Sequence, residues 1–129
     1  MTYILDTHAL VWYLENNAKL PPRVSAILSS ADSEIVIPSI VLVEVWHLFH
    51  RKRIKTSPAD VRSQILSASN CSIYPLDEAV IESLPAGLEI HDAIIIGTAL
   101  VYRDIVRRST QLITQDKAII NSGLIDIIW

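Results

Sequence analysis

Thr2-Tyr3-Ile4-Leu5-Asp6-Thr7-His8 decides how the rest of the chain is read. Its apolar run is short, lacks clean polar alternation and stops at a polar turn. Such a run reads as a strand covered on both faces, ending just before Asp6. Helical spacing follows at once, with Leu10, Tyr13 and Leu14 on one side of Ala9–Asn16. The same alternation then recurs. Glu34–Ile37 reads as a second strand stopped by Pro38, Ser72–Tyr74 as a third, Gln111–Thr114 as a fourth and Asp126–Trp129 as a fifth. Helices are expected between them: Arg23–Ser30 behind Pro21-Pro22, Ser39 to about Arg53 with Ser39 as its cap, Pro58–Ser69, and Asp77–Leu84 capped by Asp77. Asp92–Arg107 has Ile95, Ile96, Ala99 and Tyr102 spaced for burial, and Lys117–Asn121 is one helical turn. This order predicts an α/β fold, one domain over residues 1–129, with a central, mainly parallel β-sheet flanked by α-helices.

Composition agrees. Of 129 residues 50% are hydrophobic, which suits one domain with a sizeable core. Three glycines and six prolines rule out collagen-like, linker-rich and disordered classes. A net charge of −3 does not announce a nucleic-acid partner, nor does it exclude one, since bound cations can supply positive charge. Cys71 is the only cysteine, which excludes an intrachain disulfide and a cysteine-rich zinc site and suits a reducing compartment. The N-terminus does not read as a signal peptide. Apolar runs are interrupted early: Ile40–Val43 ends at Glu44, and Ala93–Ile96 follows Asp92, whereas a spanning helix needs roughly 20 apolar residues. A soluble, cytoplasmic protein is expected.

Ligands of parallel α/β sheets bind beyond the carboxyl ends of the strands, and acids stand there. Asp6 follows Leu5 directly, and Asp116 lies two residues after Thr114. The plain alternative for each is a turn residue or helix cap. Glu44 has Ile40, Val41 and Leu48 as helical neighbours. A carboxylate so placed must be paired, protonated or metal-bound; the plain alternative is a Glu–Arg pair. Asp92 opens an apolar helix, where the plain alternative is an N-cap, and Glu89 upstream is a rival for its role. Four carboxylates converging on one cleft would repel one another, a conflict that a divalent cation removes. Oxygen ligands favour Mg²⁺ or Mn²⁺ over zinc.

Together these segments resemble the PIN-domain nucleases, and in particular the VapC-type toxins of type II toxin–antitoxin pairs. The resemblance is carried by Ile4-Leu5-Asp6-Thr7-His8-Ala9, by Ser39–Leu48 around Glu44, by His91-Asp92-Ala93-Ile94-Ile95-Ile96-Gly97-Thr98-Ala99-Leu100 and by Leu112-Ile113-Thr114-Gln115-Asp116. It implies that Asp6, Glu44, Asp92 and Asp116 form an acidic quartet, with Thr114 as a supporting hydroxyl. It implies Mg²⁺- or Mn²⁺-dependent cleavage of RNA and inhibition by a cognate antitoxin. At the third position Glu89, His91 and Asp92 are adjacent candidates, and Asp92 fits the following helix best. Asp6, Asp92 and Asp116 are then metal ligands, while Glu44 binds metal or orients the attacking water. No covalent protein nucleophile is required.

Other features have plainer readings. His8, His47, His50 and His91 make no H-E-x-x-H pattern. The basic run His50-Arg51-Lys52-Arg53-Ile54-Lys55 suits a helix C-terminus better than a phosphate site, as do Arg103, Arg107 and Arg108. Trp12, Trp46 and Phe49 read as packing residues, or with Leu42 and Val45 as a surface for a homodimer mate or an antitoxin helix. The runner-up function is a PIN-like module that binds RNA or protein without cleaving. A phosphatase using Asp6 as nucleophile lacks the second aspartate of D-x-D, since His8 stands there.

Overall fold

A computed structural model describes all residues, 1–129. Five strands form one sheet: β1 (Thr2–Leu5), β2 (Glu34–Pro38), β3 (Cys71–Tyr74), β4 (Thr110–Ile113) and β5 (Ile127–Ile128). All pairings are parallel, in the order β3-β2-β1-β4-β5. The sequence expectation of a parallel α/β sheet is borne out.

Seven α-helices connect and cover the strands: α1 (Thr7–Leu14), α2 (Pro22–Ser29), α3 (Ser39–His50), α4 (Pro58–Ser67), α5 (Glu78–Glu82), α6 (Ile90–Leu100) and α7 (Lys117–Ser122). None is long and apolar enough to cross a membrane. Consecutive residues in the inner strands are buried on both faces: Ile4 and Leu5, then Ile35, Val36 and Ile37, then Leu112 and Ile113. Their continuous apolar runs follow from helices lying on each side.

The strand order reverses at β1. From it the chain winds outward through β2 and β3, then returns to lay β4 on the other side of β1. Such a switch point leaves a crevice beyond the carboxyl ends of the two strands. The register pairs Leu5 with Ile113, so the residues leaving β1 and β4 emerge side by side.

Several helix ends differ from the sequence expectation. Ser39 is the first residue of α3 rather than its cap; Pro38 precedes it, and the Ser39 hydroxyl accepts from the Leu76 N–H at 3.0 Å. The helix stops at His50, and Lys52 then adopts a positive φ of 56°. The expected Asp92–Arg107 helix begins earlier, at Ile90, because Glu89 takes the N-cap. It loosens into a π-turn over Val101–Ile105. Of the two readings of Trp46, burial in the core does not hold: it is 54% exposed on α3, against the ring of His50. Gly97 permits a close approach of α5, since a Cβ there would meet the Val80 carbonyl oxygen at 3.2 Å.

Because α6 carries Asp92, the Glu89 cap bears directly on the site. Its carboxylate accepts from the N–H groups of His91 and Asp92 at 3.0 and 3.4 Å. Glu89→Ala is expected to lower unfolding stability by about 1 kcal/mol, the usual loss of a helix cap, measured by urea denaturation.

Candidate active site

Asp6 leaves β1 and begins α1. One oxygen, Oδ1, accepts from the Ala9 N–H at 2.9 Å and caps the helix. The other, Oδ2, accepts from the hydroxyl of Thr114, which follows β4. Both residues are nearly closed to solvent, Asp6 at 7% and Thr114 at 0% exposure. Burial pushes the Asp6 carboxyl above its ordinary range, and the bonds from Thr114 and Ala9 oppose that rise.

Asp116 caps α7 through Oδ1, which accepts from Ala118 and Ile119 at 2.9 and 3.2 Å. Its own N–H donates to the Thr114 hydroxyl oxygen at 3.0 Å. Thr114 therefore links the two strand-end aspartates. The plain reading of Asp6 and Asp116 as caps is correct, and it leaves Asp116 Oδ2 outside the cap.

Glu44 comes from α3 and Asp92 from the first turn of α6. Oε1 of Glu44 is buried with no hydrogen-bond partner, and no Glu–Arg pair satisfies it. Asp92 is half-buried, and its pKa is pushed from the ordinary 3.8 up to about 6. Burial is the main cause, followed by the charges of Asp116, Glu89 and Glu44.

All four acids line one cavity of about 320 Å³. Thr7, His8, Trp12 and Gln115 share its walls, and no lysine or arginine does. Glu89 is absent from the lining; it caps α6 and pairs with His91 Nδ1 at 3.0 Å. Of the adjacent candidates, Asp92 alone reaches the cavity. In this arrangement no group of three or more histidine, cysteine, aspartate or glutamate side chains is already set to hold a metal ion. The residues share a cavity without forming a closed ligand set.

The basic segments stand away from the lining. Arg103 donates to the Leu124 carbonyl at 2.9 Å and to Asp104 at 2.7 Å, a structural use. Sequence reasoning gave no role to Thr7, Trp12 or Gln115 in this cavity. Thr7 and Gln115 adjoin Asp6 and Asp116 in the chain, which was the available signal. Trp12 reaches the cavity from α1, packed between His8 and Trp129 at ring distances of 5.6 and 5.9 Å.

The crowding at Asp92 has a measurable consequence. The fold raises this pKa, so the ionised carboxylate destabilises the native state above about pH 6. As pH falls through that value toward 3.8, the folded protein gains a proton first and the penalty fades. In EDTA near pH 7.5, Asp92→Asn is expected to raise unfolding stability by up to about 1 kcal/mol, allowing for solvent screening. Thermal melts should show that advantage shrinking near pH 5, because wild-type Asp92 is by then largely protonated.

The PIN domain family matches the chain over residues 3–122. No curated protein matches it in sequence. Among solved structures it resembles a chain of VapBC2 from Rickettsia felis, a complex bound to a DNA fragment from its promoter, with a TM-score of 0.69 and 18% identity over 100% of this chain and 99% of that one. It also resembles a chain of VapBC-1 from nontypeable Haemophilus influenzae, with a TM-score of 0.65 and 14% identity over 99% and 97% of the two chains. At these identities the likeness is one of fold. With the family match covering both strand-end aspartates, Glu44 and Asp92, the chain belongs to the PIN domain family.

Proposed function

We propose that the chain is a metal-dependent endoribonuclease that hydrolyses RNA phosphodiester bonds, acting as the toxin of a type II toxin–antitoxin pair. The observation carrying this reading is the acidic cavity itself. Carboxylates from four chain segments line it, and no lysine or arginine is among its walls. A phosphodiester is an anion and would be repelled from such a cavity unless cations entered with it.

The residues fit a hard divalent cation, Mg²⁺ or Mn²⁺. Every donor of the quartet is an oxygen, the type such ions prefer. Glu44 Oε1 is buried and unpartnered, and neighbouring charges already oppose ionisation of Asp92. Asp6, Asp92 and Asp116 would hold the cation. Glu44 would either join them or orient the attacking water. When bound, the cation supplies charge that offsets the negative charge developing on the phosphate and favours deprotonation of water. Thr114 holds one oxygen of Asp6, while the α1 cap holds the other. RNA would be cut by water, with no side chain becoming attached to phosphorus.

A cognate antitoxin is the expected protein partner, supported by the VapBC assemblies to which the similar structures belong. Beside the cavity α3 exposes Val43 at 55% and Trp46 at 54%. This apolar footing suits an antitoxin helix or a homodimer mate. A cytoplasmic location follows from that role. The alternative, a PIN-like module that binds without cleaving, is favoured by one observation: the ligands are not already gathered around an ion site.

The test is RNA cleavage by the folded chain with added Mn²⁺ or Mg²⁺. EDTA should abolish it. Asp6→Asn and Asp116→Asn should each lower the rate by about a hundredfold or more, since even residues that only support metal ligands cost 10–100-fold. Asparagine is itself a good helix cap, so these variants should fold. Undiminished metal-dependent cleavage by Asp6→Asn would overturn the mechanism. Absence of metal-dependent cleavage by wild type would favour the binding module.

A further inference from the structure

Only two buried side-chain polar atoms in the chain lack a hydrogen-bond partner, Thr7 Oγ1 and Glu44 Oε1. Both residues stand in the wall of the acidic cavity. Thr7 is the first residue of α1 and is 2% exposed. Glu44 lies on α3, and α1 packs against α3. Buried polar atoms are nearly always paired, so each exception calls for an explanation. Here the two exceptions are complementary. A hydroxyl has a proton to donate, and an ionised carboxylate can only accept.

We propose that Thr7 is the positioning residue of Glu44: its hydroxyl turns to donate to the Glu44 carboxylate when the cavity takes up a divalent cation. The inference rests on the cation-dependent reading above. The same site already contains the arrangement once, in Thr114 donating to Asp6. A second hydroxyl–carboxylate pair would fix Glu44 as the first fixes Asp6. Outer partners of this kind orient metal-binding carboxylates and raise their affinity. The Thr7 hydroxyl is buried and unsatisfied, which is a cost to stability.

That cost separates a positioning role from a packing role. Thr7→Val keeps the shape and removes the hydroxyl. In EDTA it should melt no lower than wild type, and by relief of the unpaired group about 4 °C higher. Titration calorimetry with Mn²⁺ alone should then show affinity about tenfold weaker. Thr7→Ser should restore it. With Glu44→Gln already present, Thr7→Val should add no more than about twofold, because its partner is already altered. Unchanged Mn²⁺ affinity in Thr7→Val, or an equal loss on the Glu44→Gln background, would overturn the proposal. None of these readouts uses RNA. A wild-type chain that binds Mn²⁺ yet leaves RNA intact would sink the nuclease reading alone, and one that binds no Mn²⁺ would sink both.

Discussion

The bond from Thr114 to Asp6 is the constraint on which the rest of the site depends. It joins residues 108 positions apart in sequence, and it forms because β1 and β4 are neighbours with Leu5 opposite Ile113. Slipping that register by one residue would turn every side chain of a strand to the other face, separating the aspartate from its hydroxyl. The core enforces the register through Ile4, Leu5, Leu112 and Ile113, all at most 2% exposed. The hydrophobic packing of the sheet thus places a carboxylate that the packing itself would prefer to expel. Burial raises the Asp6 pKa, and Thr114 and Ala9 oppose that rise. Without those donors a carboxylate this deep would be driven toward its neutral form.

Capping does a second job in this architecture. Asp6 and Asp116 each satisfy helix N–H groups with Oδ1, which anchors the side chains and leaves Oδ2 to Thr114 in Asp6 and outside the cap in Asp116. On α6 the work is divided between two residues. Glu89 caps the helix and pairs with His91, so Asp92 is spared that role and reaches the cavity. Helix geometry gives these two acids different places. The residue before the helix turns back to its N–H groups, and the one in the first turn projects from the helix toward its neighbours.

Much of this was legible in the sequence, for identifiable reasons. Continuous apolar runs gave the buried parallel strands, and strand-end acids gave Asp6 and Asp116. Ile40, Val41 and Leu48 around Glu44 point to a carboxylate poorly placed for solvation; the residue is half-buried, with Oε1 buried and unpartnered. Helix ends were less legible because caps compete. Ser39 looks like a cap, but Pro38 enters the helix directly and Ser39 turns to Leu76 across the fold. Such a long-range partner leaves no local trace. For Trp46 the sequence leaves packing and a partner-facing surface both open, because spacing identifies a helix face without saying what lies opposite it. Trp46 lies there against the ring of His50 and stays 54% exposed, and Val43 is exposed beside it. Thr7 was overlooked because a threonine after an aspartate resembles an ordinary turn residue until its burial is known.

The cavity is where this fold leaves its polar groups least satisfied. Both unpartnered buried atoms lie in its walls, as does Asp92, whose pKa rises to about 6. Elsewhere the strands are densely apolar and the helix ends mostly capped. Selection for stability alone would favour valine for Thr7 and an uncharged side chain for Glu44 or Asp92. A chain that keeps all three around one opening bears a local cost that cation binding is suited to offset. Charge crowding among carboxylates is unfavourable by itself and would become attraction if positive charge entered, as the proposed cation would provide. The crowding of these polar groups is set by the register of β1 and β4 and by the cap that Glu89 provides.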